Sequence, residues 1–389
     1  MEKQIQHYIP FSIPSIGDEE IVEVIDTLRS GWITTGPRTH EFERRFAAYI
    51  GVDNAIAVNS CTAGLHLALT ANGVGPGDEV ITTPFTFAAT GEVIIHCGAK
   101  PVFADIASDS FNIDPQNIEM KISSATRAII PVHFAGEPCK MDEILRIADK
   151  YELAVIEDAA HALGTKYKGK SIGTIGAATS FSFYATKNLT TGEGGMITTS
   201  DANLAHKMRI LSLHGLSRDA WKRYSKTGTW YYEIEEIGFK YNMSDIQAAI
   251  GLKQLEKFSS LQRRRKILAN YYRTKLQDID EIALPEQPTW SEHAWHLFVI
   301  RVKNNNYPIS RNELLEKLNA NGIGTSVHFI PLHLQPYWRD RYHFNPDDYP
   351  IALDVYQRAV SLPIYPKMTE DDVEFVIATV RSILKSSLK

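Results

Sequence analysis

The sequence predicts an α/β protein: a large domain with a mostly parallel central sheet, then a smaller C-terminal α+β domain. Three observations lead there. Short, continuous apolar runs alternate with helical patterns from Ala55 to Ile156, and strands of that kind belong to parallel sheets covered by helices on both faces. At 389 residues the chain is too long for one compact core, so two domains are expected. A long helical stretch, Met243 to Asp278, leads from the alternating part into the C-terminal segments. The expected division is residues 1–250 and 251–389.

In chain order, Ile21, Val22, Val24, Ile25 and Leu28 fall close to helical spacing within Glu19 to Leu28. The turn residues of Ser30-Gly31-Trp32-Ile33-Thr34-Thr35-Gly36-Pro37 end that helix. A second helix, Thr39 to Ile50, carries Phe42, Phe46 and Tyr49 as a stripe expected to be buried. Strands are expected at Ala55–Val58, Glu79–Thr82, Pro101–Ala104, Ala128–His133 and Leu153–Ile156. The helices between them are Thr62–Ala71, Ala88–His96 and Met141–Lys150. Gly251 is expected to interrupt the long helix, and Arg263, Arg264, Arg265 and Lys266 to lie on its surface. Beyond it, His296–Val302 reads as a strand and Arg311–Asn321 as a helix. The charged, aromatic run Asp219–Tyr232 reads as a projecting loop.

Composition narrows the function classes. Hydrophobic content of 44% and charged content of 22% are those of a soluble globular protein. A formal net charge of −5, from 41 basic and 46 acidic residues, argues against nucleic-acid binding. No apolar run approaches the roughly 18–20 residues that span a bilayer, and Met1 to Tyr8 lack the apolar core of a signal peptide. Cys61, Cys97 and Cys139 lie in separate segments and form neither a disulfide framework nor a zinc pattern. A cytoplasmic protein without a metal centre is expected. GxxxxGK[ST], HExxH and GxGxxG are absent.

Chemistry enters at Lys187. It follows the β-rich run Ser180-Phe181-Ser182-Phe183-Tyr184 and precedes the glycine turn Gly192-Glu193-Gly194-Gly195 and a second strand, Met196–Thr199. Asp158 closes the apolar strand that begins at Leu153. An amine and a carboxylate delivered in this way suit pyridoxal phosphate: the lysine forms a Schiff base, and the aspartate keeps the pyridine nitrogen protonated. A lone lysine is ordinarily a solvated surface charge, so the neighbours carry the reading.

Val58-Asn59-Ser60-Cys61-Thr62-Ala63-Gly64 turns a strand into a helix whose first amides are unpaired, a setting that favours an anion. Ser60 and Thr62 can add hydroxyl donors; both also fit plain N-caps. Ser182 suits a further phosphate donor or a satisfied strand serine. Phe87, after the strand that ends at Thr83, can stack on a flat ring in the crevice of an α/β sheet, or serve the core. Asp158 also fits a helix N-cap. His161 can approach the cofactor's phenolic oxygen or the aspartate, or be an ordinary half-buried histidine.

Taken together, these residues resemble the DegT/DnrJ/EryC1/StrS family of pyridoxal phosphate-dependent sugar aminotransferases, which have the fold-type I, aspartate aminotransferase-like architecture. The resemblance covers nearly the whole chain. It includes Ser30 to Pro37, Asn59 to Leu65, Gly77 to Thr82, Glu157-Asp158-Ala159-Ala160-His161, Lys187 with Glu193-Gly194-Gly195, Gly238 to Ala249, and Val327 to His333. It implies that Lys187 is the Schiff-base lysine and proton carrier, that Asp158 binds the pyridine nitrogen, and that Phe87 stacks on the ring. Cys61, Thr62 and Ser182 would hold the phosphate.

Relatives carry a Gly-x-Asn-x-Arg-Met segment whose asparagine crosses a dimer interface to that phosphate; here Lys240 and Asn242 stand at the asparagine and arginine positions. Substrate contacts are implied for Trp32, Thr35, Tyr184, His328 and Phe329. His161 replaces the family's common glutamine, as in members acting on UDP-4-keto sugars of the UDP-4-amino-4-deoxy-L-arabinose aminotransferase type. Phe87 stands where that type has tryptophan, and Tyr184 where it has histidine. The implied reaction moves the amino group of L-glutamate, leaving 2-oxoglutarate, to a nucleotide-linked keto sugar for cell-surface polysaccharide. UDP and the 4-position lead over dTDP, GDP or a 3-keto position. A homodimer with shared sites follows, with Arg218, Lys222, Arg223 and Lys226 as candidates for the diphosphate. Relatives that deoxygenate C3 have histidine at the position of Lys187, so the lysine favours transamination. A non-enzymatic regulator of the same fold is the rival class, and no helix-turn-helix segment or basic face supports it.

Overall fold

The structure is a computed structural model and describes residues 8–217, 231–303 and 309–387. Helix α1 (Asp18–Ser30) ends at Gly31 in the left-handed region, φ 75°, where a glycine is favoured, and α2 (Pro37–Ile50) opens with proline at its first position. Strands and helices then alternate as β1 (Asn54–Val58), α3 (Cys61–Ala71), β2 (Glu79–Thr82), α4 (Ala88–His96), β3 (Lys100–Phe103), α5 (Pro115–Met120), β4 (Thr126–Ile130), α6 (Met141–Tyr151) and β5 (Ala154–Asp158). A short hairpin, β6 (Lys166–Tyr167) and β7 (Lys170–Ser171), precedes β8 (Ala178–Ser182), β9 (Gly195–Thr199) and α7 (Ala202–Leu211).

Seven of these strands form one sheet in the order β1-β9-β8-β5-β4-β2-β3. Strand β9 runs antiparallel to β1 and β8, and the remaining pairs are parallel. The parallel strands therefore end along one side, where Ser60, Asp158 and Ser182 leave the sheet. Register places Gly195 opposite both Val58 and Ser182, so the turn after β1 and the end of β8 flank one glycine.

The remaining elements are α8 (Asp245–Leu276), β10 (Ile282–Ala283), β11 (Ser291–Glu292), β12 (Phe298–Val302), α9 (Arg311–Ala320), α10 (Pro336–Tyr342), α11 (Pro350–Arg358), β13 (Ala359–Leu362) and α12 (Glu370–Ser386). Strands β10, β12 and β13 make a second, antiparallel sheet, while β11 pairs with β6. The second sheet shares an apolar core with the C-terminal part of α8 and with α9 and α12. Ile9 joins that core and pairs with Ile323, so the start of the chain is built into its far end. Among the described residues no helix is long and apolar enough to cross a membrane.

Three details differ from the sequence reading, at Tyr49, Gly251 and Arg265, and a fourth concerns the packing of α1, which its spacing leaves open. Helix α1 turns its apolar residues outward: Ile21, Val22 and Leu28 are about half exposed, while Glu20 and Thr27 are buried. Glu20 accepts from Gln254 and Lys257 on α8, and this ion pair sets which face packs. Tyr49 is exposed, with its ring edge against Phe258, whereas Phe42 and Phe46 are buried as expected.

Gly251 does not interrupt α8. A Cβ there would come within 2.7 Å of the Phe42 ring, so the glycine is a contact surface for α2 rather than a break. Arg265 is buried, not on the surface; it donates to the carbonyls of Trp295, His296 and Ile364. Burial without a carboxylate partner lowers its pKa to about 10.

Candidate active site

At the C-terminal ends of the parallel strands lies a cavity of about 510 Å³, between the large sheet and residues 296–297, 328–329 and 364. Its floor is the turn from β1 into α3. Ser60 caps α3 by accepting from the Ala63 amide at 3.1 Å, and it lines the cavity together with Cys61 and Thr62. Gly64 lets α3 lie on the sheet, since a Cβ there would sit 2.2 Å from Ser180 Oγ. Gly195 supports the turn from below: a Cβ would lie 2.6 Å from the Ser60 carbonyl carbon and 2.7 Å from the Cys61 nitrogen. Gly64 thus makes room for the Ser180 side chain and Gly195 lets backbone approach backbone, which leaves the Ser60–Thr62 turn at the cavity, a helix N-terminus suited to cradle an anion. The Cys61 thiol is buried and donates to Ser180 O at 3.4 Å; burial pushes its pKa well up, so it stays a neutral thiol. Ser182 lines the same wall.

Asp158, the last residue of β5, is buried and held by two donors. Thr90 Oγ1 donates to its Oδ2 at 2.7 Å, and the Ala160 amide to its Oδ1 at 3.1 Å. Thr86 Oγ1 lies 2.8 Å from Thr90 Oγ1. No helix follows Asp158, so the N-cap alternative falls away. Neither threonine was singled out from sequence; their four-residue spacing at the start of α4 was the available signal. Phe87 is 62% exposed at the cavity mouth, a ring with an open face rather than a core residue.

Lys187 is half-buried in the turn after β8, its amide donating to Tyr184 O at 2.9 Å. Burial lowers its ammonium pKa from 10.5 to about 8, and the nearby Cys61 and Asp158 offset part of that. Asp158, Lys187 and the α3 turn all line the one cavity. His161 also lines it, with Nδ1 accepting from the Ala135 amide at 3.2 Å. Burial, then the charge of Lys187, hold its pKa well below the usual range, so the imidazole is neutral. Tyr184, His328 and Phe329 complete the upper wall. His328, bonded through Nδ1 to Ser361 Oγ at 2.9 Å, is lowered to about 4 by burial and Lys187. His296, absent from the sequence reading as a site residue, lies in the wall with its ring centroid 4.4 Å from that of His161.

Four expected site residues are not brought to this cavity within one chain. Asn242 bridges to Val58 and its Nδ2 donates to Thr35 Oγ1 at 2.6 Å; both line a separate cavity of about 570 Å³ beside β1. Trp32 donates to Thr35 O at 3.1 Å, and Lys240 is exposed. Backbone pairing with Leu213 and Val58 holds Lys240 and Asn242 there, and Thr35, tied to Asn242 and to Met243 O, keeps Trp32 with them. Arg218, Lys222, Arg223 and Lys226, with most of the expected projecting loop, lie outside the described residues. Among the described residues lining the cavity, Lys187 is the sole lysine or arginine.

Comparison with known proteins gives the family and the fold. The sequence profile of the DegT/DnrJ/EryC1/StrS aminotransferase family matches residues 14–381. An uncharacterised protein of Methanocaldococcus jannaschii, MJ1066, is 55% identical over 98% of this chain and 99% of its own length. Spore coat polysaccharide biosynthesis protein SpsC of Bacillus subtilis is 51% identical over the full length of both chains. Among solved structures, Spr1654 of Streptococcus pneumoniae in its PMP form superposes with a TM-score of 0.92 at 37% identity, covering 97% of this chain and 100% of that one. Its PLP form gives a TM-score of 0.92 at 36% identity, covering 98% and 100%. The family profile over residues 14–381, the full-length relative at 51% identity and the mostly parallel α/β fold agree: this chain belongs to the DegT/DnrJ/EryC1/StrS aminotransferase family.

Proposed function

We propose that the protein transfers the amino group of L-glutamate to a nucleotide-linked keto sugar, with a UDP-linked 4-keto sugar as the leading acceptor. The cofactor is pyridoxal phosphate. The observation that carries this reading is the convergence of Lys187, Asp158 and the amide-lined turn at Ser60–Thr62 on one cavity. The donor set fits the cofactor: the α3 amides and the Ser60, Thr62 and Ser182 hydroxyls suit its phosphate, Asp158 its ring nitrogen, and Phe87 a ring face. Bound there, it would supply a carbonyl that accepts the amino group and a ring that takes up the electrons released at the donor carbon.

The protein's own groups handle the protons. A Lys187 amine with a pKa of about 8 gives and takes a proton near neutral pH, as a carrier must that works in both directions. Asp158 is oriented by Thr90 and the Ala160 amide, so its free lone pairs are aimed before any ligand arrives. His161, with Nδ1 committed to Ala135, offers an Nε2–H donor. The histidine at position 161 supports UDP through the family resemblance, and SpsC's name supports a role in polysaccharide biosynthesis.

The working unit in this reading is a homodimer with shared sites. A diphosphate and the glutamate carboxylates need cations, and one lysine does not supply them. Thr35, Lys240 and Asn242 stand clear of their own chain's cavity, available to a second copy's. The outward apolar residues of α1 offer a surface for association.

The test is a panel of UDP-, dTDP- and GDP-4-keto sugars with L-glutamate, read by product mass. Borohydride reduction followed by peptide mapping should place the cofactor on Lys187. Conversion of one UDP sugar, abolished in Lys187→Ala, is the expected result. A fully active Lys187→Ala variant refutes the assignment.

A further inference from the structure

The residue after Lys187 joins three elements. Asn188 is buried, and its Nδ2 donates to Ala294 O at 2.9 Å and to Gln262 Oε1 on α8 at 3.1 Å. Gln262 Nε2 in turn donates to the same Ala294 O at 2.7 Å. A carbonyl oxygen can only accept, so Ala294 sets the orientation of both amides. Asn188 Oδ1 is then left facing His296 Nδ1 at 3.1 Å. An amide oxygen has no proton to give, so the imidazole donates and His296 carries its proton on Nδ1. Its Nε2 is an unprotonated acceptor.

His161 is set the opposite way. Its Nδ1 accepts from the Ala135 amide, which puts its proton on Nε2. The two rings lie side by side in the cavity wall, so one offers a donor and the other an acceptor. We infer that Asn188 is a positioning residue that fixes His296 as an Nε2 acceptor, which takes a hydroxyl or ammonium donor of the substrate beside the donor of His161. The inference rests on the aminotransferase reading of the cavity. Burial comes first in keeping His296 neutral, and the groups that act on it electrostatically are His161, Lys187, Arg265 and His328, all opposing a positive charge. Arg265 also ties the His296 carbonyl to α8, so the ring's backbone is held as well as its tautomer.

The decisive measurement is the imidazole nitrogen spectrum of ¹⁵N-histidine-labelled holoenzyme. His296 is assigned among the 13 histidines by the signal lost in His296→Gln. The wild type should show a neutral Nδ1–H ring at this position. Asn188→Leu should shift it toward Nε2–H and raise the sugar's KM about fivefold to tenfold, the loss of one hydrogen bond, with borohydride trapping at Lys187 retained. Asn188→Asp keeps an acceptor for Nδ1–H and should keep the wild-type tautomer. An Nε2–H ring in the wild type overturns the inference without any variant, so misfolding of Asn188→Leu does not protect it. An unchanged tautomer in a folded Asn188→Leu also overturns it. Absence of trapping at Lys187 in the wild type would count against the aminotransferase reading instead, and the tautomer is read independently of that.

Discussion

Lys187→Met in the cofactor-free protein should stabilise the fold at neutral pH. The wild-type ammonium has a folded pKa of about 8 against an ordinary 10.5, because burial disfavours the charge. At about 1.4 kcal/mol per pH unit, the gap between 10.5 and about 8 amounts to about 3.5 kcal/mol. The sign follows from proton uptake. Between these two values the unfolded chain holds the proton and the folded chain has released it, so wild-type stability rises with pH across that interval. Below about pH 8 the lysine is charged in both states and the full cost is present; above about 10.5 it is neutral in both and the cost is gone. Methionine has nearly the same length and no charge, so it removes the cost at every pH. Urea unfolding of the two proteins, compared as a difference across this range, isolates the lysine from other titrating groups. The variant's advantage should be largest at neutral pH and fade as the medium becomes alkaline. An advantage that is absent, or that does not depend on pH, refutes the argument that burial tunes this amine.

Thr90→Val removes the donor to Asp158 Oδ2 and should weaken pyridoxal phosphate binding by tenfold or more, since a hydrogen bond to a charged group contributes about 1.5–3 kcal/mol. Equilibrium dialysis measures it, and Thr90→Ser should restore most of the affinity. Gly195→Ala pushes a methyl against the Ser60–Cys61 peptide and should displace the anion cradle. It should weaken pyridoxal phosphate more than pyridoxal in the same titration; equal losses would show that the cradle does not hold the phosphate.

Much of the large sheet was legible because its code is local. Runs such as Glu79–Thr82 and Ala154–Asp158 are apolar enough to be strands wherever they pack, and Ser60 caps α3 from its own sequence neighbourhood. Lys187 and Asp158 could be singled out because each closes or follows such a strand. The misreadings came where a distant partner reversed a local rule. The α1 spacing correctly gives a helix but not which face packs; that was decided by Glu20 meeting Gln254 and Lys257 more than 200 residues away. Arg265 went inside because three carbonyls met it there. Gly251 reads as a break until the Phe42 ring is seen against it.

By itself, the sequence determined the alternation of strands and helices, the capped strand-to-helix turn at Ser60 and the lysine and aspartate at strand ends, since these depend on neighbours within a few residues. The tertiary structure alone decided that Thr90 aims Asp158 across 68 residues and that Asn188 sets the tautomer of His296 across 108. It also decided how far the cavity lowers the Lys187 pKa. A hydrogen bond's direction and a charge's desolvation depend on what surrounds a group in space, and periodicity along the chain does not encode either.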